Sequence, residues 1–166
     1  GSWLQVASEI VGPKGLVIGI DLQEVPEDLG PNVRTIVGDI FKTDATMLLP
    51  DPDSKFDVVL SDMAPNTSGH GDDALSVRLC RRVLELLPSL LARRGGCAMK
   101  VLEGSGYSAL LKDVQRLFAN AKGLKPRASR EASREIFIVA EGYKGPGEND
   151  VQPVAKSKPV PGWTKP

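Results

Sequence analysis

Three aspartates stand at the ends of apolar runs that predict buried strands: Asp21, Asp39 and Asp62. In an open α/β sheet, ligands bind beyond the carboxyl ends of the strands. Asp21 follows the glycine turn at Gly1 by about twenty residues, the spacing at which a nucleotide-binding unit presents a carboxylate to the ribose hydroxyls of an adenosine. Asp39, one strand later, is placed to accept a hydrogen bond from an adenine amino group. The aspartates therefore predict an adenosine-like ligand, and they do not distinguish a methyl donor from a nicotinamide cofactor.

Strands and helices alternate along the chain. Apolar runs predict strands at residues 16–20, 33–40, 56–60, 97–102 and 135–140. Helical periodicity predicts helices at residues 1–11, 72–92 and 108–121. This alternation implies a parallel α/β sheet with crossover helices. Because a helix opens the chain with no strand before it, we expect the first strand to lie upstream of Gly1.

The composition is that of an ordinary globular domain. The chain has 166 residues, of which 41% are hydrophobic and 25% charged. No apolar run approaches the ~18 residues of a membrane span, so we expect no membrane partner. Residues 1–144 are predicted to form one domain. Residues 145–166, rich in proline, glycine and lysine, are predicted to be a flexible tail.

Cysteine and histidine are too few for a metal site. Cys80 falls in a predicted helix and Cys97 in a predicted strand, and His70 is the one histidine. We interpret both cysteines as small core residues of a protein in a reducing compartment, and we predict no metal.

Positive charge is concentrated near the end of the predicted domain, although the formal net charge of the chain is zero. The basic residues there are Lys122, Lys125, Arg127, Arg130 and Arg134. A cluster of this kind fits a polyanionic partner, and a solvated basic loop is the alternative. Three further arginines on the second helix extend the basic surface: Arg78, Arg81 and Arg82.

Residues 61–69, Ser-Asp-Met-Ala-Pro-Asn-Thr-Ser-Gly, resemble the signature of the FtsJ-type ribosomal RNA large-subunit 2′-O-ribose methyltransferases. The resemblance continues through about residue 144. It includes Gly-Ser-Trp-Leu-Gln-Val-Ala at 1–7, Gly-Ile-Asp-Leu at 19–22, Gly-Asp at 38–39, Met-Lys-Val at 99–101, and the segments 125–130 and 133–140. Taken together and in this order, these motifs are highly specific.

The resemblance implies a Rossmann-like, S-adenosylmethionine-dependent methyltransferase fold, with a mostly parallel sheet and helices on both faces. It also implies a Lys-Asp-Lys-Glu tetrad around the target hydroxyl, of which Asp62, Lys100 and Glu135 match three members. Lys100 would deprotonate or stabilise the ribose oxygen, Asp62 would orient Lys100 between donor and acceptor, and Glu135 would hold the network in register.

The first lysine of the tetrad would lie upstream of this chain. Without it, the carboxylates of Asp62 and Glu135 favour the charged form of Lys100, which cannot accept a proton from a hydroxyl. We therefore expect these 166 residues alone to be inactive or very weak.

The same resemblance assigns the donor and the RNA. S-adenosylmethionine, which leaves as S-adenosylhomocysteine, would contact five residues that include all three strand-end acids: Gly1, Trp3, Asp21, Asp39 and Asp62. Trp3 could instead be a core residue, but the resemblance favours the pocket. His70 would belong to a glycine-rich flap over the acceptor and is a weak candidate for a base.

The acceptor implied by the resemblance is a uridine of large-subunit ribosomal RNA, held within the large ribosomal subunit. The basic residues from Lys122 to Arg134 would contact its phosphates. We expect a monomer acting in the cytoplasm, or in an organelle such as the mitochondrion. A nicotinamide-dependent oxidoreductase, and a catalytically silent RNA-binding or ribosome-assembly protein on the same fold, are the alternatives.

Overall fold

The computed structural model describes residues 2–25, 29–65, 71–125 and 134–145. The chain divides into two compact units, Gly1–Leu48 and Leu49–Pro166. Each unit has its own sheet, of two strands in the first and four in the second.

The first unit is a helix followed by a parallel pair of strands. Its elements are α1 (Ser2–Val11), β1 (Val17–Asp21), β2 (Val33–Val37) and a 3₁₀ helix at Ala45–Leu48. The side chain of Leu4 in α1 covers Gly19 of β1 so closely that a Cβ at Gly19 would lie 2.6 Å from a Leu4 methyl. Glycine at this position therefore allows the helix to pack directly on the strand.

The end of α1 is fixed to the start of β2 by Asn32. The helix stops at Gly12, which has a φ of 68°, the left-handed conformation typical of a residue that ends a helix. The side-chain amide of Asn32 donates to the carbonyls of Ser8 (3.3 Å) and Gly12 (2.9 Å). The same two carbonyls also accept from the backbone amides of Gly12 (3.0 Å) and Gly15 (3.1 Å), so Asn32 adds a second hydrogen bond to each of them.

The second unit is a four-stranded sheet with two helices. Its elements are β3 (Phe56–Ser61), α2 (Asp72–Leu90), β4 (Leu91–Leu102), α3 (Tyr107–Leu117), β5 (Phe118–Leu124) and β6 (Glu135–Tyr143). The strand order is β3-β4-β6-β5. β3 is parallel to β4, whereas β6 is antiparallel to both β4 and β5.

Both helices of this unit pack on the same face of the sheet. Alternate residues of β4 and β6 are buried there: Cys97, Met99 and Val101, paired with Ala140, Ile138 and Ile136. They form one core with residues of α2 and α3 that include Cys80, Leu87, Leu110 and Val114. Among the described residues, no helix combines the length and apolar character needed to cross a bilayer.

The structure contains more antiparallel pairing than the mostly parallel sheet predicted, and it adds a strand that was missed. The helix predicted to reach Ala121 ends at Leu117, and Phe118–Leu124 forms β5. Phe118 is buried against Tyr143 of β6, with ring centroids 5.2 Å apart. This cross-strand contact and the ladder with β6 outweigh a local sequence that is also compatible with a helix.

α2 ends against the start of β3. Pro88 lies in its last turn, where a proline cannot donate to the carbonyl four residues earlier. The ammonium of Lys55 donates to the carbonyl of Pro88 at 3.0 Å and to that of Ser89. Partial burial in this position lowers the pKa of Lys55.

α2 also completes the hydrogen bonding of β4 where β3 leaves the sheet. The pairing of β3 with β4 ends at Ser61 and Met99. Beyond that point, the amide of Leu102 donates to the hydroxyl of Ser76 (2.9 Å), and the thiol of Cys80 donates to the carbonyl of Lys100 (3.2 Å). Side chains of the helix thus replace a neighbouring strand on either side of Val101.

We predict that Ser76→Ala lowers the free energy of unfolding by about 1–3 kcal/mol, because Ser76 is 1% exposed and the Leu102 amide would lose its acceptor in the interior. Urea unfolding measures the change. Ser108→Ala, at an exposed serine of α3, should change stability by less than about 0.5 kcal/mol. Equal effects at the two positions would contradict the role given to Ser76.

We predict that stability falls as the pH rises above about 9. Burial raises the pKa of Cys80 to about 12, and burial together with the neighbouring Cys80 raises that of Cys97 to about 12. Unfolded thiols lose their protons at lower pH than the folded ones, so in this window the folded chain binds more protons and unfolding is favoured. Urea titrations from neutral pH to about pH 10 test this. The double variant Cys80→Ala/Cys97→Ala should show a flatter dependence, and an unchanged slope would refute the assignment.

Candidate active site

Lys100 joins two carboxylates in the second unit. Its Nζ lies 2.7 Å from Oδ1 of Asp62 and 3.6 Å from Oε1 of Glu135. The first distance is that of a charge-assisted hydrogen bond, and the second is that of an ion pair without one. The structure therefore brings together the three residues predicted from the sequence. Their catalytic role stays a prediction.

The strand register explains how these residues meet. Ser61 pairs with Met99, so Asp62 leaves β3 level with Lys100 on the neighbouring strand. On the other side, Leu102 pairs with Glu135. Lys100 and Leu102 face the same way, since side chains alternate along a strand, and Glu135 is then a diagonal neighbour of Lys100. All three side chains lie away from the core beneath α2 and α3.

The exposure of the three groups suits a binding surface. The Lys100 side chain is 15% exposed, whereas those of Asp62 and Glu135 are 43% and 46% exposed. Ion pairs with such exposed partners contribute about 0–1 kcal/mol to stability. The cluster therefore contributes little to holding the fold together, while its two carboxylates are open to solvent and the Lys100 side chain is partly so.

The strand ends of the first unit carry Asp21 and Asp39, the two residues predicted to bind an adenosine. The amide of Gly38 donates to the carbonyl of Asp21 at 2.8 Å, which holds the ends of β1 and β2 together. Oδ1 of Asp21 accepts from the amide of Gln23 (2.9 Å), and Oδ1 of Asp39 accepts from that of Phe41 (3.0 Å).

These local bonds orient both carboxylates and use only part of their accepting capacity, since a carboxylate has about four acceptor positions. Asp39 also forms an ion pair with Lys42 at 3.6 Å. The acceptors are of the kind that ribose hydroxyls and an adenine amino group require, so the residues present fit an adenosine.

Several predicted residues are not placed at either cluster. Gly1, His70, Arg127 and Arg130 lie outside the described residues. Trp3 is half-buried in α1 of the first unit, so its assignment to a donor pocket stays a prediction.

The described basic residues have different surroundings. Lys122 is exposed on β5 and lines an open cavity of about 380 Å³ with Asn120, Val139 and Glu141. Val139 is four residues along β6 from Glu135, which in an extended strand is roughly 13 Å. Lys122 could therefore contact a polyanion that extends beyond the cluster around Lys100.

The other basic residues are partly engaged within the protein. Lys125 forms an ion pair with Glu103 (3.7 Å), and the guanidinium of Arg134 donates to the Glu103 carbonyl. On α2, Arg81 pairs with Asp113 (3.5 Å) and Arg82 with Glu85 (3.0 Å). The basic character seen in the sequence is thus partly neutralised in the fold.

Sequence reasoning missed two residues that hold this site. Ser76 bonds to β4 beside Lys100, and Glu103 bonds to Arg134 beside Glu135. The helical periodicity of residues 72–92 makes position 76 a buried one. A polar serine at a buried helix position was the one available sign that its hydroxyl forms a hydrogen bond in the core. Nothing in the local sequence distinguishes Glu103 from a solvated acid.

The chain is similar to a known family over most of its length. The model of the FtsJ-like methyltransferase family matches residues 1–143. A ribosomal RNA large subunit methyltransferase E from Desulfatibacillum aliphaticivorans is 43% identical over 147 residues, covering 87% of this chain and 70% of that protein. One of the same name from Syntrophobacter fumaroxidans is 42% identical over 141 residues, covering 84% and 72%.

Solved structures agree with this similarity. A crystal structure of a ribosomal RNA methyltransferase from Plasmodium falciparum has a TM-score of 0.74 at 27% identity, covering 88% of this chain and 82% of that one. An rRNA methylase from Clostridium thermocellum, at a TM-score of 0.57 and 17% identity over 86% and 83%, shares the fold alone. The Rossmann-like α/β fold is confirmed, and methyl transfer is favoured over the nicotinamide alternative. The chain belongs to the FtsJ-like methyltransferase family.

Proposed function

We propose that this chain carries the methyl-transfer site of an enzyme that methylates a ribose 2′-hydroxyl of ribosomal RNA, at a uridine of the large subunit, with S-adenosylmethionine as donor. The observation that carries the proposal is the position of the Lys100 ammonium between Asp62 and Glu135, in a chain of the FtsJ-like methyltransferase family. The names of the relatives supply the class of RNA. The family match ends at residue 143, which supports residues 1–144 as the methyltransferase domain.

Asp21 and Asp39 are the residues that would hold the adenosine of the donor. Asp21 would accept from the two ribose hydroxyls, and Asp39 from the adenine amino group. When bound, the donor supplies a methyl group attached to a positively charged sulfur. Attack by a nucleophilic oxygen on the methyl carbon breaks the carbon–sulfur bond, and the rest of the donor leaves as a neutral thioether.

Lys100 would bind the acceptor hydroxyl. A ribose hydroxyl becomes a good nucleophile only as its proton leaves, here to solvent water beside the exposed carboxylates of Asp62 and Glu135, and negative charge then develops on the oxygen. An ammonium donating to that oxygen stabilises the charge. Asp62, at 2.7 Å, holds the Lys100 amine in place, and Glu135 restrains it from the opposite side.

Phosphate contacts would come from exposed cations of the second unit. Lys122 is exposed on β5 beside an open cavity, and Lys125 directly follows the end of that strand. Contacts of this kind position a nucleic acid without reading its sequence, which suits an RNA presented in a fixed conformation within the large ribosomal subunit. We propose a monomer that acts in the cytoplasm or in an organelle with its own ribosomes.

We predict that Lys100→Met lowers kcat for methyl transfer by about 10²- to 10⁴-fold, because the variant removes the cation beside the reacting oxygen. The assay follows labelled methyl from S-adenosylmethionine into large ribosomal subunits, with protein expressed from the complete gene. The matched control is Lys112→Met, at an exposed lysine of α3, which should retain wild-type activity. Equal incorporation by wild type and Lys100→Met would sink the catalytic assignment. Binding of RNA without any incorporation would instead favour the silent RNA-binding alternative.

Donor binding is a separate prediction. Asp21→Ala should weaken the affinity for S-adenosylhomocysteine by about 10- to 100-fold, since it removes hydrogen bonds from a charged acceptor to ribose hydroxyls. Isothermal titration calorimetry measures the dissociation constant without RNA. Glu24→Ala, an exposed acid of the same unit, should bind as the wild type does. If the two variants bind equally, Asp21 is not a donor ligand.

A further inference from the structure

Arg134 and Glu103 join the end of β4 to the start of β6. The amide of Glu103 donates to the carbonyl of Arg134 at 2.6 Å, one step beyond the paired residues Leu102 and Glu135. The Arg134 guanidinium in turn reaches the residue that follows β4. Its Nε and Nη2 donate to the Glu103 carbonyl at 3.1 and 2.7 Å. Three hydrogen bonds therefore connect this one pair of residues.

The residues that flank Glu103 both lie against α2. The amide of the preceding residue, Leu102, donates to the buried hydroxyl of Ser76. The following residue, Gly104, lies so close to α2 that a Cβ there would overlap the Asp73 side chain. The residues on both sides of Glu103 thus lie against α2, one by a hydrogen bond and one by close contact, and Arg134 bonds to the carbonyl between them.

Arg134 directly precedes Glu135, whose carboxylate lies 3.6 Å from the Lys100 ammonium. We infer that Arg134 is a positioning residue of the methyl-transfer site, which holds the start of β6 so that Glu135 stays within reach of Lys100. This inference rests on the proposed function for its kinetic consequence. It replaces the role of phosphate contact that the charge of Arg134 suggested.

The two roles require different chemistry of the same side chain. A phosphate contact needs the positive charge, which a lysine also provides. The bond to Glu103 uses two N–H groups that converge on one carbonyl oxygen, and a lysine ammonium does not reproduce that planar fork. The acceptor is a backbone carbonyl, so the charge of the Glu103 side chain is not required.

The kinetic test compares Arg134→Gln and Arg134→Lys with the wild type on large ribosomal subunits. We expect kcat to fall about 10- to 100-fold in Arg134→Gln and less in Arg134→Lys, because small misplacements of catalytic groups are costly. The KM for the RNA substrate and the salt dependence of RNA binding should be the same in both variants as in the wild type. A phosphate contact would instead raise KM, reduce the salt slope by about one, and let Arg134→Lys behave as wild type.

Two comparisons separate positioning from a general loss of structure. On a Glu135→Gln background, Arg134→Gln should cause no further loss of kcat, because its effect passes through Glu135. Additive losses would overturn the inference. Arg116→Gln, at an exposed arginine of α3, should leave kcat unchanged.

A spectroscopic measurement tests the inference without methyl transfer. In isotope-labelled protein, the Nζ resonance of Lys100 should move in Arg134→Gln in the direction seen for Glu135→Gln, and it should not move in Arg116→Gln. An unmoved resonance in Arg134→Gln would falsify the positioning role. If the resonance moves while the wild type transfers no methyl group to RNA, the positioning role stands and the proposed function fails.

Discussion

The ammonium of Lys100 lies within 2.7 Å of one carboxylate and 3.6 Å of another, and these two carboxylates come from different strands. This arrangement requires β4 to lie between β3 and β6, with Asp62 at the end of one neighbour and Glu135 at the start of the other. A shift by one residue in the register of β3 or of β6 against β4 would turn one carboxylate to the opposite face of the sheet. The order and register of three strands thus determine whether the cluster exists.

The cluster of Lys100, Asp62 and Glu135 lies where the pairing of β4 with its two neighbouring strands ends. β3 must leave the sheet after Ser61 for Asp62 to project beside Lys100, and this leaves polar backbone groups of β4 without a strand partner. Ser76 and Cys80 of α2 supply those hydrogen bonds. On the other side, Arg134 extends the connection between β4 and β6 past the last paired residues. Side chains complete the sheet where the site interrupts it.

The charges of the second unit serve different purposes. Those of Lys100, Asp62 and Glu135 contribute little to stability because the two carboxylate side chains are 43% and 46% exposed. The guanidinium of Arg134 bonds to backbone within the protein, while Lys122 is exposed beside an open cavity. Charge alone therefore overestimates how many basic residues are available to a nucleic acid. The geometry of each side chain indicates which of them can bind phosphate.

The sequence by itself determined the α/β class, most element positions, the identity of the three clustered residues and the family. Apolar runs and ordered motifs are local properties, so they can be recognised without coordinates. Only the tertiary structure decided that 118–124 is a strand, since contact with β6 outweighs its local preference. It also decided the roles of Ser76 and Arg134. Their partners are 26 and 31 residues away along the chain, and no local pattern encodes such a contact.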